Sequence, residues 1–479
     1  MPRFPPTRKS LGTHRVPAWY EDAKLGIFVH WTPASVPGFA PTEWEINELA
    51  RERYDDMLPL SPYTEWYENA IKFPWSPSAR HHREHHGDRP YAEFAADFER
   101  GLESWDPAEW AALFRRAGAR YVVLVTKHHD GYCLWPSRVG HPTREAWHTR
   151  RDCISELATA VRAEGMRFGV YYSGGIDWSF NSAPVRSFGD FIASVPRGSY
   201  PAYAEAQVHE LIETLEPDIL WNDISWPTSE KELLRLFADY YAAVPDGLVN
   251  DRWATLRPVL AAMRWQPLRR GFDALAKRSA RRSSIGTPPA LCHHDTRTPE
   301  YAIYPDVRRH KWECVRGMDK SFGFNRASRE ADFISRGDLV HSLVDIVSKN
   351  GNLLLNVGPR GEDASIPSVQ RQRLEWLGDF LERSGEALYD TRPWHRAEGE
   401  SDTGRGLRFT FRGETLYVVL LGTPPPGRLS LRGVRARPGA AVELLGHGPV
   451  TWKGEGEDLQ IDLPQLPESP AHAFAIRGI

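Results

Sequence analysis

The sequence predicts an α/β fold in which a (β/α)₈ barrel is followed by a small antiparallel β module. Three observations lead to this prediction. Short β-branched or aromatic runs alternate with amphipathic segments over most of the 479 residues, polar residues crowd the ends of these runs, and closely spaced short strands follow after about residue 388. Alternation of this kind is typical of βα units around a mainly parallel sheet.

The barrel elements are predicted from the spacing of apolar residues. Strong strand candidates lie at residues 25–31, 121–129, 167–173, 217–223, 247–253 and 351–357, and a weaker one lies near 311–315. Between them, apolar residues recur at the i, i+3 and i+4 spacing of a helix that buries one face. We therefore predict helices at residues 107–119, 154–165, 229–244, 339–351 and 366–384.

Polar and aromatic residues follow these strands at their C-terminal ends. His30 and Trp31 end the first strand, His128 and His129 end the second, and Asp223 ends the fourth. A (β/α)₈ barrel forms its active site at this end. A doubly wound sheet also binds its ligand there, but no Gly-x-Gly-x-x-Gly motif or P-loop follows the first strand. The barrel is therefore the preferred architecture.

The pattern changes after the helix predicted at residues 366–384. Alternating strands separated by Gly and Pro turns are predicted at 405–422, 442–446, 459–463 and 473–477. This divides the chain into a barrel domain at residues 1–385 and an antiparallel β module at residues 388–479. We expect the module to pack on the barrel or cap it, and sugar binding is the alternative.

The composition excludes several classes of protein. With 41% hydrophobic and 26% charged residues, the chain has the composition of a folded globular protein. The formal net charge of −3 provides no overall attraction to nucleic acid or to an anionic membrane. Four cysteines without a Cys-x-x-Cys pair favour a reducing compartment. The N-terminus lacks the apolar core of a signal peptide, so we predict a cytoplasmic protein that does not contact a membrane.

Asp223 is the first candidate for chemistry. It follows an apolar run and is flanked by Trp221 and Trp226, so it is predicted at the mouth of a barrel strand. Helix capping is the alternative. A retaining glycosidase uses one such carboxylate as nucleophile and a second carboxylic acid to protonate the leaving oxygen. The pattern leaves this second group open among four glutamates near aromatic residues, namely Glu43, Glu65, Glu300 and Glu313.

Two histidine clusters raise the question of a metal site. His128 and His129 are adjacent on a predicted strand, where neighbouring side chains point to opposite faces, so hydrogen bonds to a polyol are favoured over a shared ion. The stretch from His81 to His86 contains His-x-x-Glu-His, which occurs in one class of zinc peptidases. Because prolines and a glycine surround it, we predict a surface loop there. The sequence predicts neither a metal nor a cofactor.

Ten segments in colinear order, between about residues 18 and 385, resemble the α-L-fucosidases of glycoside hydrolase family 29. They are AKLGIFVHWTPASVPGFAPTEW, YTEWYENA, AGARYVVLVTKHHDGYCLWPS, GVYYSGGIDW, DILWNDISWP, VNDRW, TPEY, HKWECVRG, SFGFNR and GNLLLNVGP. The ten segments together make the resemblance specific to this family, whereas no single segment would identify it.

The resemblance implies a retaining exo-glycosidase that removes terminal α-L-fucose from glycans or glycosides by double displacement. It also implies an irregular (β/α)₈ barrel with a C-terminal β-sandwich and no metal. The family nucleophile corresponds to Asp223, and the acid/base corresponds to Glu300 in TPEY. The sugar-binding residues carried over by motif are His30, Glu65, Trp66, His128, His129, Tyr171, Trp221, Arg252 and Phe322.

The resemblance also determines the expected partners. The substrate is a small-molecule or oligosaccharide fucoside, nucleic acid and membranes are not partners, and a homo-oligomer is left open. Two alternatives to the fucosidase are a fucose-binding pseudoenzyme and a hydrolase of a related L-sugar or α-galactoside.

An insertion at about residues 254–290 departs from the family pattern. Between Arg257 and Arg282 it carries eight basic residues and one acidic residue, Asp273. Because it connects Arg252, at the end of a predicted strand, to Glu300, its own ends are expected near the active-site mouth. One interpretation is a solvated loop or a helix docked on a neighbouring subunit. The other is a lid that places Trp265 and its charge against an anionic aglycone.

Overall fold

A parallel sheet of seven strands forms the centre of the fold in the computed structural model, which describes residues 4–255, 259, 262–280 and 290–478. The strand order is β5-β4-β3-β2-β1-β7-β6. All seven strands coincide with predicted runs, including the weak one. Their bounds are β1 Leu25–Val29, β2 Tyr121–Lys127, β3 Arg167–Ser173, β4 Ile219–Asp223, β5 Leu248–Val249, β6 Trp312–Arg316 and β7 Gly351–Val357.

An extended segment between β5 and β6 takes the eighth position of the barrel. Isolated parallel bridges join Thr296 to Asn250, just after β5, and Glu300 to Val315 of β6. The amide of Val315 donates a hydrogen bond to the carbonyl of Pro299 at 3.0 Å. Proline has no amide hydrogen to donate to a ladder, which is one reason why this segment pairs only at isolated positions. The predicted irregular (β/α)₈ barrel is confirmed.

The predicted helices are also present. They are Pro107–Arg116, Cys153–Ala163, Glu230–Ala243, Arg336–Ser348 and Ser368–Ser384. Side chains such as Asp106 and Ser229 accept hydrogen bonds from amides of the first turn and thereby fix where these helices begin. Among the described helices, none combines the length and the apolar character that a membrane span requires. The other helices described are Arg8–Leu11, Ala18–Ala23, Ile46–Glu52, Tyr67–Ala70, Pro77–His86, Phe94–Gly101, Phe188–Ala193, Tyr200–Leu215 and Gln266–Ala280.

The prediction of a loop for the histidine-rich stretch is wrong, because His81 to His86 lie in the helix Pro77–His86. The side chain of Ser76 caps this helix by accepting a hydrogen bond from the amide of Ala79. Pro77 occupies the first helical position, where an amide hydrogen has no partner within the helix, so it starts the helix and does not prevent it. Over the described ranges, no group of three or more His, Cys, Asp or Glu side chains is arranged to hold a metal ion.

Two antiparallel sheets follow the last barrel helix, with strand orders β13-β12-β16-β10-β9-β8 and β11-β15-β14. They enclose a core that includes Leu407, Val418, Ile461 and Phe474, so the predicted β-sandwich is confirmed. The sequence missed β8, β11, β13 and β14. The strands are β8 Arg392–Glu400, β9 Gly406–Arg412, β10 Thr415–Leu421, β11 Gly427–Leu431, β12 Ala441–Leu444, β13 Gly448–Pro449, β14 Thr451–Glu455, β15 Asp458–Leu463 and β16 Ala471–Arg477.

Candidate active site

A cavity of about 500 Å³ opens at the C-terminal ends of the barrel strands. The described residues that line it include all eleven residues predicted for the site. The fold therefore brings together side chains that are spread over nearly 300 residues of sequence. These eleven are His30, Glu65, Trp66, His128, His129, Tyr171, Trp221, Asp223, Arg252, Glu300 and Phe322.

Arg252 joins the two candidate carboxylates. Its Nη1 atom contacts Oδ1 of Asp223 at 3.2 Å and Oε1 of Glu300 at 2.5 Å. Because both oxygens contact the same nitrogen at these distances, they lie less than about 6 Å apart. Retaining glycosidases separate their carboxyl groups by roughly 5–5.5 Å, whereas inverting enzymes need roughly 6.5–9.5 Å to admit a water molecule. The spacing is that of a retaining enzyme.

Hydroxyl groups and a backbone carbonyl fix the orientation of this ion pair. Arg252 donates from Nε to the hydroxyl of Thr298 at 3.1 Å and from Nη2 to the carbonyl of Thr298 at 2.8 Å. The hydroxyl of Tyr171 donates to Oδ2 of Asp223 at 3.0 Å, and that of Tyr63 contacts Oε2 of Glu300 at 3.3 Å. The side chains of Asp223 and Glu300 remain 16% and 19% exposed, so a ligand in the cavity can reach both.

The structure separates the four glutamates that the sequence left open. Glu65 and Glu300 line the cavity, whereas Glu43 and Glu313 are not among the described lining residues. Glu43 is exposed. Glu313 is buried in the barrel interior, where the hydroxyls of Tyr20 and Tyr121 donate to its carboxylate at 2.8 and 2.5 Å. Of the four, only Glu300 shares an arginine nitrogen with Asp223.

Three neutral histidines line the cavity beside these carboxylates. Nδ1 of His30 donates to Oδ1 of Asn356 at 2.5 Å, and Nδ1 of His129 donates to the hydroxyl oxygen of Ser173 at 2.7 Å. Burial lowers the pKa of both imidazoles to about 3 and that of His128 well below its usual value. With Nδ1 protonated, Nε2 of His30 and of His129 is an acceptor for a hydroxyl group.

β2 ends at Lys127, before the histidine pair, so the expected alternation between opposite faces does not apply. His128 and His129 follow the strand in a turn, and both of them line the cavity. Hydrogen bonding to a polyol, as predicted, remains the geometry that fits both side chains.

Glu65 is a buried carboxyl with unused hydrogen-bonding capacity. The amide of Gly323 donates to Oε1, while Oε2 has no partner among the described residues. A Cβ atom at Gly323 would lie 2.5 Å from the hydroxyl of Thr64, so the close approach of this amide requires glycine. Burial raises the pKa of Glu65 to about 8. A buried polar atom without a partner indicates a place for a ligand hydroxyl.

Residues 1–386 match the family model described as Alpha-L-fucosidase. This chain belongs to the α-L-fucosidase family. Among its relatives, the tissue α-L-fucosidase of Bos taurus is 31% identical over 97% of this chain and 88% of its own length. The plasma α-L-fucosidase of Homo sapiens is 30% identical over 97% of this chain and 89% of its own length.

Solved structures of fucosidases superpose on nearly the whole chain. The α-fucosidase of Thermotoga maritima in complex with a mechanism-based inhibitor is 36% identical, with a TM-score of 0.82 that covers 99% of this chain and 100% of that chain. The same enzyme in complex with fucose has a TM-score of 0.81 at 36% identity over the same shares of both chains. These findings confirm the prediction of an α-L-fucosidase, which is a glycoside hydrolase.

The sequence missed several residues that line the cavity of this α-L-fucosidase. The hydroxyl of Tyr63 contacts Glu300. In the sequence Tyr63 is close to Glu65 and far from Glu300, so no local pattern indicates its contact with Glu300. Ile224 follows Asp223 with φ 71°, which a β-branched residue rarely adopts, and its side chain lines the cavity. Phe272 belongs to the insertion and lines the cavity as well. These positions depend on tertiary packing and not on a local motif.

Proposed function

We propose that this α-L-fucosidase hydrolyses terminal α-L-fucosides by double displacement, with Asp223 as nucleophile and Glu300 as general acid/base. The proposal is supported above all by the contact of both carboxylates with the same nitrogen of Arg252. That contact limits their separation to the range of retaining glycosidases.

In the first step, an oxygen of Asp223 attacks the anomeric carbon while Glu300 donates its proton to the departing glycosidic oxygen. The products are a fucosyl ester of Asp223 and a free aglycone alcohol. In the second step, the Glu300 carboxylate takes a proton from water, the water oxygen attacks the same carbon, and the Asp223 carboxylate departs. Two inversions at one carbon give net retention. The hydroxyl of Tyr171 and the guanidinium of Arg252 stabilise the charge on Asp223 whenever it is free.

The substrate-binding role of the remaining residues is proposed from their chemistry. Fucose has a methyl group where other hexoses have a hydroxymethyl group, so its pocket needs an apolar wall together with partners for three ring hydroxyls. Phe322 stacks on His30 with 5.1 Å between ring centroids and supplies such a wall. The three neutral histidines and Glu65 supply acceptors and donors for the hydroxyls.

The nucleophile is tested by Asp223→Gly. We expect kcat to fall at least about 1,000-fold, because the covalent intermediate cannot form, with a thermal unfolding curve close to that of the wild type. Added azide should enter the vacated space and yield a glycosyl azide. For the wild type, NMR should show that the first product retains the anomeric configuration. Substantial activity without azide, or a first product of inverted configuration, would refute the mechanism.

The acid/base is tested by comparing leaving groups. Protonation matters most for a poor leaving group, so Glu300→Ala should lower kcat/KM for natural fucosides about 100-fold or more while partly sparing dinitrophenyl fucoside or fucosyl fluoride. Glu65→Ala is the matched control, since this glutamate also lines the cavity but does not contact Arg252. It should affect all substrates alike. A leaving-group contrast in the Glu65 variant alone would transfer the role to Glu65.

We also propose a cytoplasmic location, which is supported by the cysteine pattern. Cys133, Cys153, Cys292 and Cys314 are free thiols in the structure. Fractionation of the producing cells should recover the activity with cytoplasmic markers, and recovery in the culture medium would contradict this location.

A further inference from the structure

We propose that the leaving-group end of the cavity is an apolar aglycone subsite completed by the inserted helix Gln266–Ala280. The preferred substrates are then α-L-fucosides whose aglycone is an apolar alkyl or aryl group. This inference rests on the proposed function and adds the class of aglycone to it.

The part of the cavity outside the strand ends is lined by carbon side chains. Three segments provide it: the inserted helix with Phe272, the helix Phe188–Ala193 with Phe188, Phe191 and Ile192, and residues 46–58 with Ile46, Met57 and Leu58. None of the described lining residues on these three segments is charged. An aglycone there would contact aliphatic and aromatic carbon. Its binding free energy would become more favourable as more of its apolar surface is buried.

This apolar surface borders the position of the leaving oxygen. Tyr63, which contacts Glu300, packs against the same hydrophobic cluster as Phe188 and Phe191, and so does Ile224, the neighbour of Asp223. The ring of Trp66 stacks on Phe191 with an interplanar angle of 10° and meets His129 edge-on at 5.2 Å. The sugar end and the apolar end are therefore continuous at the point where the glycosidic bond is cleaved.

The inserted helix is held in place by its single acidic residue. Asp273 accepts hydrogen bonds from the hydroxyl of Tyr54 at 3.2 Å, the hydroxyl of Ser187 at 2.9 Å and the amide of Gly189 at 2.8 Å. Phe272 precedes Asp273 and is directed into the cavity. Because Tyr54 and Gly189 belong to the segments that form the rest of the wall, the helix and the wall form one packed unit.

Two of the basic residues expected to attract an anionic aglycone are used in this packing. Arg269 pairs with Asp190 at 3.3 Å, and Lys277 pairs with Asp55 at 2.5 Å. Trp265, the aromatic residue predicted to contact the aglycone, is 66% exposed and is not among the described lining residues. Arg257, Arg281 and Arg282 lie outside the described residues. The described part of the insertion thus favours an apolar aglycone.

Octyl and methyl α-L-fucosides test the proposal. Their leaving groups are both alkoxides and differ mainly in the length of the alkyl chain. We expect kcat/KM of the wild type to be at least about ten-fold higher for the octyl glycoside. Phe272→Ala should remove most of this preference and leave methyl fucoside and fucosyl fluoride unchanged. Leu275→Ala is the matched control, since Leu275 lies on the same helix and is 71% exposed. It should leave all three substrates unchanged.

Equal kcat/KM for octyl and methyl fucosides in the wild type would overturn the proposal. So would an equal loss on all three substrates in Phe272→Ala, or a higher kcat/KM for a carboxylated aglycone than for octyl. If the wild type does not hydrolyse fucosyl fluoride, the proposed function fails by itself. Calorimetric binding of octyl and methyl fucosides to Asp223→Gly then still decides the subsite, because tighter binding of the octyl glycoside is required.

Discussion

At the scale of single residues, burial controls the charge state of the site. Glu65 is buried beside the amide of Gly323, and its pKa is raised to about 8, whereas the pKa of His30 and of His129 is lowered to about 3. All these shifts favour the neutral form, because burial penalises charge. At Glu65, His30 and His129 the free site therefore meets a neutral sugar with uncharged hydrogen-bonding groups.

The raised pKa of Glu65 predicts a dependence of stability on pH. The folded pKa of about 8 lies above the ordinary value of 4.5, so the folded state binds an extra proton between these limits. That contribution to stability is complete below about pH 4.5 and is lost as the pH rises to about 8, at up to about 1.4 kcal/mol per pH unit. The amide side chain introduced by Glu65→Gln does not titrate in this pH range. Its Tm advantage over the wild type should grow from pH 5 to pH 8 and then stay constant.

Thermal unfolding at a series of pH values checks this expectation. Glu43→Gln is the control, since Glu43 is exposed, and its Tm difference from the wild type should be nearly the same at each pH. If the curves of Glu65→Gln and the wild type run parallel from pH 5 to pH 8, the carboxyl of Glu65 is not held neutral by the fold.

At the scale of elements, the irregular eighth position of the barrel explains how the chain accommodates the insertion without displacing Glu300, the proposed acid/base. Glu300 bridges Val315 of β6, and the amide of Tyr301 donates to the carbonyl of Val315 at 3.0 Å. The helix Gln266–Ala280 is added on the outside, against the helices Phe188–Ala193 and Ile46–Glu52. Extra residues before Glu300 therefore do not change its register on β6.

At the scale of the whole molecule, the β-sandwich shares a core with the barrel. The hydrophobic cluster that contains Leu343 of the helix Arg336–Ser348 also contains Val419 of β10 and Ala473 of β16. The division into a barrel domain at 1–385 and a module at 388–479 remains our proposal. Because the cores are continuous, we expect the two parts to unfold together.

Asp345 provides a test of this coupling. Its carboxylate pairs with Lys349 at 2.9 Å and with Arg408 of β9, and it is 15% exposed. Asp345→Ala should lower the free energy of unfolding by about 1–3 kcal/mol, since the partly buried Lys349 and Arg408 lose one of their two carboxylate partners and keep only Glu398. Calorimetry should show a single transition at a lower Tm. Asp379→Ala is the control, because this carboxylate is 60% exposed, 3.9 Å from Arg336. Two resolved transitions, only one of them shifted, would show that the parts unfold independently.

The sequence by itself determined the barrel strands, most of the crossover helices and the position of Asp223, because apolar periodicity and strand-end residues are local properties of the chain. The resemblance placed the other site residues by motif. Only the tertiary structure decided that Glu300 and Asp223 share Arg252, that Glu313 stays in the barrel interior, and that Phe272 of the insertion faces the cavity. Proximity between distant residues depends on how the barrel closes and on what packs over its mouth. Local periodicity carries no information on either, and Pro77 shows that even a helix start can be hidden by residues that elsewhere end helices.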